Sequence, residues 1–228
     1  MREYRTFEHR EARFRICSDQ FDAATAAIVR LRRELGDYIT RQPAFQTNME
    51  PLALLPDAPE IAQRMAHAAD AVGVGPMAAV AGAVAQLAAE AAREAGAPET
   101  IVDNGGDVYV CATAPVLVGL YAGRDAPTRG FALRVEPEQT PLAACSSSGA
   151  MGHSTSLGRC ELATVVATDA ALADAAATQA ANLVKSESDI EPALEAISSI
   201  PGIHGVLIVH ANRVGLIGQL PKLVRATA

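Results

Sequence analysis

The sequence predicts an α+β fold in which a mixed, mostly antiparallel sheet packs against Ala/Gly-rich helices. Three observations point there. Half of the 228 residues are hydrophobic, yet only 4% are aromatic and there is no Trp, so small side chains must fill the interior and let helices lie close to a sheet. Short β-branched and apolar runs succeed one another from residue 101 to residue 146, separated by turn residues, which is the pattern of an antiparallel meander. Helical segments with an apolar stripe, a polar cap and a Gly or Pro stop lie before and after that run. A chain of this length buries a sizeable core as one domain over residues 1–228, or as two intimately packed lobes.

Residues 4–16 alternate imperfectly, with Tyr4, Phe7, Phe14 and Ile16 set against Arg13 and Arg15, and predict an entry hairpin with one wet face. A helix follows from about Gln20 to Thr40, capped by Asp19, with Ile28, Leu31, Leu35 and Ile39 inward and Pro43 as its stop. Residues 42–58 read as an irregular connection pinned by Phe45, Met49 and Leu52. Helix signal resumes from Pro59 to Ala71. It starts again after Gly73 and Gly75, with Pro76 in the favoured first position, and runs to about Ala95.

Residues 101–111 predict strand, glycine break, strand around Asn104-Gly105-Gly106-Asp107. Strand signals continue at 116–121, 130–135 and 142–146, then at 162–167 after a Ser/Gly loop. A helix from Ala170 to Leu183 has Thr168 or Asp169 as N-cap. A short helix over 190–200, ended by Pro201-Gly202, leads to a closing hairpin of 206–210 and 214–217 that turns at Ala211-Asn212-Arg213.

Composition excludes several functions. A net charge of −7 argues against a nucleic-acid or anionic-membrane surface. Cys17, Cys111, Cys145 and Cys160 form no C-x-x-C pair, so nothing recommends zinc, and their apolar surroundings fit reduced thiols. No apolar leader or membrane-length run is present, and a cytoplasmic protein is expected. The G-V-G-P-M-A stretch from Gly73 formally matches a dinucleotide fingerprint but follows a helix rather than a strand, and no G-K-[ST] makes it a P-loop. A serine hydrolase lacks its G-x-S-x-G elbow, and adjacent His153 and Ser154 are poorly placed to act as base and nucleophile.

The chemistry concentrates between Cys145 and Asn182. The Ser/Gly loop, with Ser148, Gly149 and a single His153, is short of bulky side chains and lets a ligand approach the main chain. In the helix that follows, Asp174 and Thr178 share a face among alanines. If that helix is internal, the carboxylate needs a cation, an Arg or backbone donors, and carboxylate plus hydroxyl suits a hard cation such as Mg²⁺. Otherwise Asp174 faces solvent and Thr178 bonds back to the helix. Asp103 and Asp107 flanking a Gly-Gly pair leave the same choice between a plain hairpin turn and a ligand cradle. Gly75 opens a helix N-terminus that either receives an anion or makes a tight interhelix turn. His153 is either a base or phosphate contact or a hydrogen-bonded loop residue.

Three stretches resemble the ApbE-like superfamily, most closely its short uncharacterised cytosolic branch: V-G-V-G-P-M-A-A-V-A-G-A (72–83), D-N-G-G-D-V-Y (103–109), and S-S-S-G-A-M-G-H-S-T-S-L-G-R with A-D-A-A-A-T (146–159 and 173–178). Members of ApbE proper are Mg²⁺-dependent FAD:protein FMN transferases, which split FAD and attach FMN to a Thr or Ser of an acceptor protein. The resemblance implies Mg²⁺ and FAD or FMN as cofactors, Asp174 and Thr178 as metal ligands, and Asp174 with His153 as catalytic residues. It implies a nucleotide pocket lined by Gly75, Asn104, Gly105, Gly106, Asp107, Ser148 and Gly149, with a nucleotide ligand, an acceptor protein and a homo-oligomer as partners. The alternative is a non-catalytic small-molecule or partner-binding protein on the same fold, since the Asp-Pro-x-Thr-Gly element that follows the family's His has no counterpart after His153.

Overall fold

A computed structural model describes residues 2–123, 126–149 and 160–226. The chain opens with a hairpin, β1 (Arg5–His9) and β2 (Ala12–Ser18), then α1 (Phe21–Arg41), the single turn α2 (Ala44–Thr47) and α3 (Glu60–Val72). A 3-10 turn at Pro76–Ala79 leads into α4 (Val80–Glu94). Next come β3 (Thr100–Asn104), β4 (Asp107–Cys111), β5 (Val116–Gly119), β6 (Phe131–Val135), β7 (Leu142–Ser147) and β8 (Leu162–Ala167). The chain finishes with α5 (Ala170–Leu183), α6 (Ile190–Ser198), β9 (Ile203–His210), β10 (Arg213–Gly218) and β11 (Lys222–Arg225).

Eight strands form one sheet in the order β1-β2-β3-β4-β7-β8-β9-β10, and β11-β6-β5 form a second. Every pairing between described strands is antiparallel. Side chains alternate across the large sheet. Val102, Ala143, Cys145, Ala163, Val165, Val206 and Ile208 join a core with the helices, while Ile101, Leu142, Ala144, Leu162, Val166, Leu207 and Val209 join one with the small sheet. Helices therefore cover one face and three strands the other. The apolar runs of β7, β8 and β9 are buried on both faces, which is why they read as continuous rather than alternating.

The element bounds match the sequence reading closely, and four differences have physical causes. The expected meander is interrupted: β5 and β6 leave for the second sheet with β11, and β7 returns to pair with β4. The strand over 222–225 had no sequence signal because only Leu223 and Val224 are apolar there. Asp19 does not cap α1; Gln20 holds that position and makes no side-chain cap. Met49 does not pin the 42–58 connection, being exposed. Tyr38 does so instead, stacking edge-on against buried Phe45 at 5.2 Å and accepting the Leu55 N–H at 3.0 Å. Among the described residues the four cysteines are free, Cys111 only half-buried. No single helix is long and apolar enough to cross a membrane.

Candidate functional site

Asn104 and Asp107 are cross-strand partners at the end of the β3–β4 hairpin, and Asn104 in turn faces Phe14 of the helix-side core, so both point into the helix layer. The turn between them runs through Gly105 and Gly106 at φ +71° and +111°, a left-handed path that side chains disfavour. A Cβ on either glycine would meet nothing within 4 Å, so the space over the turn is open. The Asp103 carboxylate accepts the Gly106 N–H at 3.0 Å and holds the turn. The Asn104 side-chain amide donates to the Ala81 carbonyl at 3.1 Å and ties the hairpin to α4.

α4 and α5 cross at Gly82, where a Cβ would lie 2.1 Å from the Ala170 carbonyl oxygen and 2.9 Å from the Asp174 Cβ. That approach brings Asp174, only 8% exposed, onto the first turn of α4. Its carboxylate accepts the Gly82 N–H at 2.8 Å and a second bond from Ala81. The anion expected at this helix start is thus supplied by the protein itself. One turn earlier on α5, Gln86 accepts the Ala170 N–H at 2.7 Å, while Asp169 caps the helix by accepting the Leu172 N–H at 2.9 Å.

Asp107, 7% exposed, is the second buried carboxylate. It accepts the Ser146 N–H at 3.3 Å and lies within reach of the Cys145 thiol, whose sulfur is 3.5 Å from the Ala170 carbonyl. Burial pushes the Asp107 carboxyl well up, and repulsion from Asp174 pushes it further. Burial raises Asp174 to about 7 against the relief of its two backbone donors. Burial and both carboxylates raise the Cys145 thiol, so it is not a thiolate nucleophile. Among the described residues, no Lys or Arg is paired with either carboxylate.

Asp174 therefore does not face solvent, and Asn104, Asp107 and Asp174 converge between the hairpin and the two helices. Thr178 is half-buried one turn further along α5. Ser148 and Gly149 follow β7 directly; Ser148 is buried, and the Gly149 N–H bonds the Cys160 carbonyl at 2.8 Å. Gly75 packs against the 42–58 connection, where a Cβ would fall 2.0 Å from the Asn48 carbonyl oxygen, so close backbone approach explains that glycine. His153 lies outside the described residues. Gly82, Cys145 and Ser147 lie within the stretches singled out in the sequence but received no individual site role there; a glycine within V-A-G-A-V of an alanine helix was the signal that could have flagged a close crossing.

The donor set fits a hard cation. Two buried carboxylates repel each other, and a Mg²⁺ ion keeps waters and needs one or two carboxylates rather than a full protein cage. Among the described residues no three His, Cys, Asp or Glu side chains converge as a metal cluster, so further ligands from those residues would be hydroxyls or carbonyls. Two surface grooves, of about 670 Å³ beside residues 54–58 and about 860 Å³ between α6 and β10, do not touch the carboxylates.

The chain is 38% identical over 228 residues to a UPF0280 protein of Methanocella arvoryzae, covering 99% of this chain and 93% of that one. A UPF0280 protein of Methanopyrus kandleri is 43% identical over 224 residues, covering 95% and 90%. The fold is similar to that of the flavin transferase ApbE from Vibrio cholerae, with a TM-score of 0.61 at 11% identity over 96% of this chain and 97% of that one. It is also similar to the apo form of the Pseudomonas stutzeri flavinyl transferase ApbE, with a TM-score of 0.57 at 12% identity over 96% and 94%. Residues 5–201 match the family described as AbpE bacteria, and the chain belongs to that family, within the ApbE-like superfamily.

Proposed function

We propose that this protein is a single ApbE-like domain that binds a flavin or other nucleotide in the cytoplasm and acts on it with Mg²⁺, by FMN transfer to an acceptor protein or by cleavage of the FAD diphosphate. The observation that carries this reading is the pair of buried carboxylates, Asp107 and Asp174, held by backbone donors and a thiol with no cationic side chain paired to them among the described residues. Burying two like charges together is costly unless a cation joins them. Asp174 and Asp107 would hold the ion, with Thr178 adding a hydroxyl. Mg²⁺ bound there would neutralise charge on the diphosphate. Asn104, held by Ala81, and the open Gly105-Gly106 turn would let the nucleotide lie against the backbone, with Ser148 and Gly149 on the far side. His153 would serve as base or phosphate contact.

The test is to incubate the purified protein with FAD and Mg²⁺ and follow AMP by mass spectrometry. AMP appearing with metal, and abolished by a chelator or by Asp174→Asn, is expected. Unchanged Mg²⁺ and FAD affinity in that variant would overturn the site. A second reading, a binding protein without turnover, is favoured by the missing Asp-Pro-x-Thr-Gly element after His153. Flavin bound without AMP release would select it.

A further inference from the structure

Ser147 ends β7 and is 8% exposed, yet its hydroxyl has no hydrogen-bond partner among the described residues. A buried hydroxyl left unpaired costs free energy, and native interiors rarely tolerate one without a reason. Its direction is fixed by register. Ser147 is paired with Ala163 and lies two residues beyond Cys145, and both of those belong to the helix-side core. The hydroxyl therefore points into the layer that holds Asp107 and Asp174. Its neighbour Ser146 faces the other way and is satisfied by Thr164 at 2.9 Å, so of the two adjacent hydroxyls the one on the helix side is left without a partner.

Its depth along the layer follows from the path of α5. That helix begins two residues after β8 and packs back over β7 and β8, so it runs in the same sense as β7. Cys145 meets Ala170 where both begin that course. From Cys145 to Ser147 the strand advances about 6.6 Å, and from Ala170 to Asp174 the helix advances about 6 Å. Ser147 therefore comes level with Asp174. On the β4 side, continuing the pairing of Val108 with Ala144 sets Asp107 opposite Cys145, so Ser147 flanks the glycine turn and its open space.

We infer that the Ser147 hydroxyl is a further protein oxygen donor to the divalent cation held between Asp107 and Asp174. This rests on the proposed cation site and names one more ligand in it. A hydroxyl beside carboxylates is a hard-oxygen donor of the kind Mg²⁺ accepts, and binding the ion would give the orphaned oxygen its partner.

Mn²⁺, whose binding is read by electron paramagnetic resonance without any turnover, serves as the probe on the full-length chain. Ser147→Ala is expected to weaken Mn²⁺ about tenfold, while Ser147→Thr, which keeps the hydroxyl, stays within about threefold of the parent protein on the same scale. The metal-free melting temperature of Ser147→Ala should be unchanged or higher, since no protein bond is lost; a hydroxyl with a purely structural role would give a lower one. Should Ser147→Ala fold poorly, Ser147→Cys against Ser147→Thr makes the same comparison. Parental Mn²⁺ affinity in Ser147→Ala, alongside loss in Asp174→Asn, overturns this inference and leaves the site standing. No Mn²⁺ binding by the parent protein overturns both.

Discussion

Two acidic groups on this molecule meet opposite fates. Glu99 receives both sides of the Arg2 guanidinium at 2.6 Å and the Thr113 N–H at 2.9 Å, and the Arg2 bond is the main force holding its carboxyl down at about 2. Asp174 sits deeper, has only backbone N–H groups, and is raised to about 7. The first carboxylate fastens the chain start to β3 and is stabilising as an anion. The second is disfavoured as an anion by its burial. An acid given a cationic partner by the fold is structural, and a buried acid held by backbone donors is the one that fits the cation site proposed above.

The sharpest way to break that contrast is Asp174→Asn. It should lower metal-dependent FAD turnover by at least about 100-fold while stabilising the metal-free protein by about 2 kcal/mol at neutral pH, because an amide still accepts the Gly82 N–H without a buried charge. Differential scanning calorimetry with and without Mg²⁺ would read this as a rise of about 4–8 °C only without metal. A lower metal-free melting temperature would mean that the carboxylate is structural after all.

Gly82→Ala attacks the contrast through geometry. With Ala170 backbone oxygen only 2.1 Å from the new methyl, α4 and α5 must separate, at a cost of about 2–3 kcal/mol by urea denaturation. Mn²⁺ affinity should fall with it, as Asp174 loses its backbone seat. A variant as stable as the parent would show that the crossing is looser than drawn.

Titration should separate the two acids by sign. Folded Asp174 keeps its proton to about 7 against 3.8 for an ordinary aspartate, so the folded state binds more protons between those values. Its contribution is full below about pH 4 and drains away as pH rises through about 7. Glu99 is the mirror case, with a folded value of about 2 against 4.5: its contribution is present above 4.5 and disappears as pH falls through about 2. Melting temperatures of metal-free protein between pH 4 and 8 should therefore slope downward in the parent and flatten in Asp174→Asn. The smallest effect is Glu99→Gln, about 1 kcal/mol at neutral pH for a partly exposed pair, shrinking below pH 4.5. A constant loss across that range would assign the effect to packing instead of charge.

Much of this was legible in the residues. The hairpin at Asn104–Asp107, the Ala-rich helix bearing Asp174 and the strand at 162–167 each follow from local spacing, and the structure places them where that spacing says. What spacing could not say is which elements meet. Asp107 and Asp174 are far apart in sequence and come together only because β4 pairs with β7 and α5 folds back over it. The choice between a solvent-facing and an internal Asp174 was open for the same reason, since alanines on every side of α5 erase the apolar stripe that would mark its inner face. The second sheet was hidden because β11, an edge strand, carries charge at both ends.

The bond from Gly149 to Cys160 joins the stems that leave β7 and enter β8, beyond the pairing of Ser147 with Ala163. With the stems joined there, main-chain bonds hold β7 in register with β8 as far as that clasp. The main chain that carries Ser147 is thus anchored on both sides of that residue, by strand pairing before it and by this clasp after it.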